Sequence, residues 1–149
     1  MAKSFNSANS KFQKNSSLDP AVASLRIPPH SIEAEQSVLG GLLLDNAAFD
    51  KIADLVGEDD FYRDEHKRIY RQIRKLLERS KPVDVVTVAE SLDLAGEGGE
   101  TGGLAYLGEL AANTPSAANI RRYAEIVRER AILRQLVTAG DEIAGSAFN

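Results

Sequence analysis

Pro28-Pro29-His30-Ser31-Ile32-Glu33-Ala34-Glu35-Gln36-Ser37-Val38-Leu39-Gly40-Gly41-Leu42-Leu43-Leu44 opens the patterned part of the chain. Ile27 precedes a proline, which pushes it out of the α region and makes Ile27–His30 an extended lead-in. Ser31 is suited to an N-cap, and Glu33 and Glu35 follow in a first turn where negative charge complements the helix dipole. Ile32, Leu39, Leu42 and Leu43 then form a helical stripe. Gly40 and Gly41 each weaken such a helix by about 1 kcal/mol relative to alanine. Their presence predicts an offsetting gain, most simply another helix packed closely against them.

The same reading continues downstream. Asn46 is the next cap, with Ala48, Phe49, Ile52, Leu55 and Val56 on the apolar face of a helix of about three turns that Gly57 closes. A third helix is expected from Asp64 to Arg79, with Ile69, Tyr70, Ile73, Leu76 and Leu77 on one side and a basic exterior. The β-branched run after Pro82 could make a short strand, but Thr87 and Glu90 stand at capping-box spacing and nothing else reads as a pairing strand, so it is assigned to a helix. Gly96–Gly103 is expected to be a loop, Leu104–Ala112 a short helix, and Asn113-Thr114-Pro115-Ser116 a break.

From Ala117 to about Ala144 the pattern is helical and free of proline, so a continuous rod would run about 40 Å. A compact body of this size has a radius of gyration near 14 Å. Part of this element, or a hairpin made from it and bent near Arg130 or Gly140, must therefore project. Its apolar stripe changes phase. Ile120, Tyr123 and Val127 are heptad-like, and so are Leu133, Leu136, Gly140 and Ile143, but the step from 127 to 133 breaks the register. The first half is thus expected to pack on the chain's own body and the second on a partner. The expected fold is all-α: a flexible tail over residues 1–26, a compact multi-helix head over 27–112, and a helical arm over 113–149.

Length and composition bound the rest. With 149 residues, 43% hydrophobic and 27% charged, the chain can build one domain core. The Ser/Asn/Lys-rich first 26 residues are too polar to join it. The absence of cysteine removes thiol nucleophiles and cysteine-ligated zinc, and two separated histidines, His30 and His66, do not make a metal cage. His66 is expected on a half-buried face. No apolar run approaches the roughly 20 residues of a membrane span and no signal-peptide pattern opens the chain, which predicts a cytoplasmic protein.

Residues 1–26 carry four basic groups and one acidic, a balance of +3, whereas residues 27–149 carry 14 basic and 21 acidic, a balance of −7. Binding to a phosphate backbone would therefore need a local patch. Arg63, Lys67, Arg68, Arg71, Arg74, Lys75, Arg79 and Lys81 are candidates for one, against the plainer reading of a solvated face or a contact for acidic protein. The glycines at 96, 98, 99, 102 and 103 do not form a phosphate cradle, because no Gly-Lys dipeptide exists in the chain. Asp59-Asp60 and Asp64-Glu65 sit at helix starts, where the dipole accounts for them without catalysis. No catalytic, cofactor-binding or metal-binding residue is assigned.

The segment from Pro28 to Leu42 closely resembles the opening of the N-terminal domain of bacterial replicative DNA helicases, the DnaB family. Further blocks follow in family order: Asp60-Phe61-Tyr62, His66 with Ile69-Tyr70, Pro82-Val83-Asp84, Ala89-Glu90-Ser91-Leu92, Gly102-Gly103-Leu104-Ala105-Tyr106-Leu107, Asn113 to Ile120, and Tyr123 to Arg130. The resemblance covers roughly residues 27–149. One departure is Gly98 and Thr101, where many members carry apolar residues, and this predicts a loosely anchored loop.

The resemblance implies an all-helical domain that joins its copies, through dimers, into the collar of a hexameric ring and docks primase at the replication fork, with a helicase loader as a further partner. It implies no ATP site in this chain; ATP and magnesium belong to an ATPase domain that would follow, and the intact protein would unwind duplex DNA. DNA would be met through that whole protein. By motif position, Val137 and Ile143 are the candidates for primase contact. Leu133 and Leu136 are candidates for the subunit interface or the core, and Leu104 and Tyr106 are weaker subunit-contact candidates. The competing reading is a free-standing helical DNA-binding or regulatory module.

Overall fold

The computed structural model describes residues 26–149; the tail assigned to residues 1–26 lies, but for Arg26, outside the described residues. Six α-helices follow in order: α1 Ile32–Leu44, α2 Asp64–Glu78, α3 Val85–Leu94, the single turn α4 Gly98–Thr101, α5 Gly103–Asn113 and α6 Ile120–Phe148. No strand occurs among the described residues. The all-α expectation is met, and the β-branched run after Pro82 is helical.

Helix α1 starts where Ser31 predicts it, with the hydroxyl accepting from Ala34 N at 3.2 Å. It runs through the middle of the head, and Val38 through Leu43 are buried on every side. The glycine pair lets α5 and α6 come close. A Cβ on Gly40 would overlap the Thr114 side chain and lie 2.6 Å from the Leu110 carbonyl oxygen, while one on Gly41 would press on Ile120 at 3.1 Å. Around α1 the core is closed by Phe61, Ile69 and Ile73 from one side, Val88, Leu92 and Leu107 from another, and Ile120 and Val127 of α6.

Three local expectations need correction. The helix expected after Asn46 is a 3-10 turn, Asn46–Lys51, followed by turns, and its N-cap is Asp45, whose carboxylate accepts from Ala47 N at 3.0 Å. Asn46 is otherwise engaged: its amide donates to the Leu42 and Val83 carbonyls and accepts from Val83 N, tying α1 to the start of α3. The capping box before α3 is Asp84 with Thr87, not Thr87 with Glu90; Thr87 N donates to Asp84 Oδ1 at 2.8 Å and Asp84 N to Thr87 Oγ1 at 2.9 Å. The glycine-rich segment is not a slack loop. Gly98–Thr101 is a helical turn, Thr101 is buried, and its hydroxyl donates back to the Glu97 carbonyl at 2.9 Å.

The last element is one helix of 29 residues, with no bend into a hairpin. It begins at Ile120 rather than Ala117. At 1.5 Å per residue it is about 44 Å long.

Candidate assembly and docking surface

Helix α6 meets two environments. Ile120, Ala124, Val127 and Ala131 are buried against the head. Three arginines on the same helix fasten it there. Arg121 donates to the Lys51 carbonyl at 2.7 Å, and Arg128 to Asp60 Oδ1 at 2.8 Å. Arg134 donates to the carbonyls of Pro29 at 2.8 Å and Asp60 at 2.6 Å. The Arg134 guanidinium also lies 5.5 Å over the Tyr62 ring, a cation–π contact, and His30 stacks on Tyr62 at 4.2 Å. The proline-rich lead-in is thus clamped between head and arm.

Beyond Arg134 every residue of α6 is exposed. At about 100° per residue, Gly140 lies opposite Ala131, and the positions of Ile132, Leu133, Leu136, Val137, Gly140, Ile143, Ala144 and Phe148 fall within one arc of about 160° centred there. The break in register read from the sequence is this half-turn of the apolar face. Leu136 is 62% and Ile143 71% exposed, and Leu133 and Val137 flank them, also exposed. Gly140 has nothing within 4 Å of where its Cβ would be. An apolar face of this kind, aimed away from the body that supports it, is a candidate interaction surface.

The other two candidates lie on α5. Leu104 is exposed. Tyr106 is half-buried, and its hydroxyl is 2.6 Å from His66 Nε2 and accepts from Gln36 Nε2 at 3.2 Å. This arrangement was not legible in the sequence. His66 is fully buried rather than half-buried, and its Nδ1 lies 2.8 Å from Glu35 Oε1. Glu35 also accepts from the backbone N–H of Tyr62 at 2.7 Å and of Arg63 at 3.3 Å, so it serves the N-terminus of α2 rather than the dipole of its own helix. Burial pushes the Tyr106 hydroxyl above its ordinary pKa, against the opposing hydrogen bond from Gln36. Among the described residues no buried side-chain nitrogen or oxygen lacks a hydrogen-bond partner. No cluster of three or more histidine or carboxylate side chains is placed to hold a metal ion among them.

The arginines of α2 are largely committed to carboxylates. Arg68 pairs with Asp64 at 2.7 Å, with Glu97 at 3.2 Å and with Glu100; Arg71 pairs with Glu58 at 2.5 Å, and Arg74 with Glu58 and Glu78. Hydrogen bonds to Asp64 and to Glu58 hold the Arg68 and Arg71 guanidiniums above their ordinary pKa. A helix face neutralised in this way is a poor match for a phosphate backbone.

The DnaB-like helicase N terminal domain family matches residues 27–129. The chain belongs to this family. It is 47% identical over 133 residues to the replicative DNA helicase DnaB of Haemophilus influenzae, covering 89% of this chain and 28% of that protein. It is 43% identical over 123 residues to DnaB of Geobacillus stearothermophilus, covering 83% of this chain and 27% of that protein. The chain therefore spans little more than a quarter of these relatives. Among solved structures, the N-terminal domain of DnaB helicase from Mycobacterium tuberculosis superposes with a TM-score of 0.80 at 43% identity, over 82% of this chain and 85% of that one. The N-terminal domain of DnaB helicase from Helicobacter pylori, described together with its interactions with primase, shares the fold at a TM-score of 0.65 and 22% identity, over 78% of this chain and 90% of that one. No described helix of the DnaB-type domain is long and apolar enough to cross a membrane.

Proposed function

We propose that this DnaB-type domain is the collar unit of a replicative helicase, joining its copies into a hexameric ring through dimers and docking primase. The observation that carries this reading is the exposed apolar face of α6, turned away from the head on a helix that the head holds rigidly. Leu133 and Leu136 form the subunit contact, with Leu104 and the half-exposed ring of Tyr106 contributing from α5, and Val137 and Ile143 meet primase. ATP, magnesium and duplex unwinding belong to the longer protein of which such a domain is part, acting in the cytoplasm at the replication fork, where a loader would also engage it. DNA binding by α2, the competing reading, is disfavoured by the carboxylates already paired with its arginines.

The test separates the two roles on one helix. Sedimentation velocity of the Leu133→Glu, Leu136→Glu double variant should show self-association weakened at least tenfold, with helical content unchanged because both residues are exposed. Val137→Asp with Ile143→Asp should weaken primase binding by a similar factor. If both double variants associate and bind primase as the parent does, the assignment of this face is wrong.

A further inference from the structure

A second surface lies on the head and receives no residue from α6. Where α2 ends beside α3, a groove of about 270 Å³ is walled by Leu76, Pro82 and Leu94 and rimmed by Arg79 and Lys81. Leu94, the last residue of α3, is 83% exposed.

The charges on its rim differ from those along the rest of α2. Arg68, Arg71 and Arg74 are matched by carboxylates, whereas neither Arg79 nor Lys81 has a carboxylate within 4 Å among the described residues, and exposed Lys75 stands one turn before Arg79 in the same condition. These cations form an island on a body whose balance is −7. The polar side chains inside the groove are engaged elsewhere: Thr87 with Asp84 and Ser91 with Gln72. Arg79, Lys81 and Glu90 are the charged groups left facing it.

The turn that sets this geometry is strained. Ser80 has φ 56°, the left-handed region that favours glycine. It is held there by a helix-ending pair of hydrogen bonds, Ser80 N to the Leu77 carbonyl and Lys81 N to the Leu76 carbonyl, both at 2.9 Å. That pair reverses the chain sharply and sets Lys81 and Pro82 on the groove wall.

We propose that this groove binds an acidic peptide segment of a partner protein, an apolar side chain entering between Leu76 and Leu94 while carboxylates meet Arg79 and Lys81. Charge complementarity selects this occupant. The rest of the body repels acidic chains, so the island confers position as well as attraction. Glu90 opposes any anion on its own side of the groove, so the carboxylates are placed at the Arg79 and Lys81 rim; a nucleic acid fits less well, since two leucines and a proline offer a phosphate backbone nothing.

The probe is a fluorescein-labelled peptide of about ten residues, glutamates interleaved with leucines, titrated with the 149-residue chain and followed by anisotropy. Binding should weaken with added salt, fall about tenfold in Arg79→Glu, Lys81→Glu, and fall about fivefold in Leu94→Ala. All three positions are exposed, and circular dichroism checks that the variants stay folded. Lys67→Glu, on the same helix outside the groove, should bind as the parent does. The proposal is overturned if the acidic peptide does not bind, if a lysine-for-glutamate peptide binds equally, or if the groove variants bind unchanged. It is likewise overturned if these substitutions instead abolish binding of a single-stranded oligonucleotide or self-association of the chain.

Discussion

In the N-terminal half of α6, Ile120, Ala124, Val127 and Ala131 are buried under the head; in the C-terminal half, Leu133, Leu136, Val137 and Ile143 stand in solvent. The helix is continuous across the change, so backbone geometry does not distinguish the halves. What differs is the azimuth of the apolar residues, which turns by about half a revolution between Ala131 and Gly140. Hydrophobic content alone would put both halves in a core. Its phase places one in the chain's own fold and turns the other out into solvent.

The widest separation between the halves should appear in the stability of the dilute, dissociated chain. Ile120→Ala removes a fully buried side chain beneath Gly41 and should cost about 3 kcal/mol in urea unfolding, whereas Leu136→Ala should stay within about 0.5 kcal/mol. Comparable losses at both sites would mean that the outer half is part of the monomer's core.

A second measurement sharpens the contrast by confining a pH effect to the head. Tyr70 is buried with its hydroxyl donating to the Val56 carbonyl at 2.9 Å, and burial pushes its pKa up to about 12 from an ordinary value of 10. The folded state thus holds this proton more tightly than the unfolded one. The stabilisation is complete below pH 10 and is lost progressively up to pH 12, by about 3 kcal/mol. Tyr70→Phe should remove that portion of the alkaline loss, while Leu136→Ala should leave the profile unchanged.

The smallest expected effect has the opposite sign. Gly140 lies mid-helix in open space, so Gly140→Ala should stabilise the dissociated chain by about 1 kcal/mol in thermal unfolding. The same change adds a methyl group at the centre of the outer apolar face. If self-association weakens while the monomer gains stability, Gly140 is where a neighbouring helix comes closest.

Much of this architecture was legible because it is local. Ser31 caps α1 three residues from its acceptor's donor, and the glycine pair implied a close helix crossing from an energetic argument alone. The phase change in α6 needed only spacing. The features missed depend on residues distant in sequence. Glu35 meets His66 across 31 positions, His66 meets Tyr106 across 40, and Arg134 reaches Pro29 across 105. Asn46 carried the signal of a cap but is consumed by Val83, 37 residues on, which moves the cap to Asp45 and tightens the following turn to 3-10 geometry. Periodicity also could not foresee that α2's arginines would be quenched by Glu58 and Glu97, since neither lies on that helix.

The Arg134 clamp has a mechanical corollary. It is the last side chain of α6 tied to the head, and from it to Phe148 the helix extends about 21 Å as a cantilever. Tilting the head by 10° about that fulcrum would sweep the tip sideways through roughly 4 Å, about the spacing of two side-chain atoms in contact. Anything docked on the outer face would thereby constrain the angle of the head, and a displacement too small to disturb the head's own interior is enough to change which residues meet at the far end.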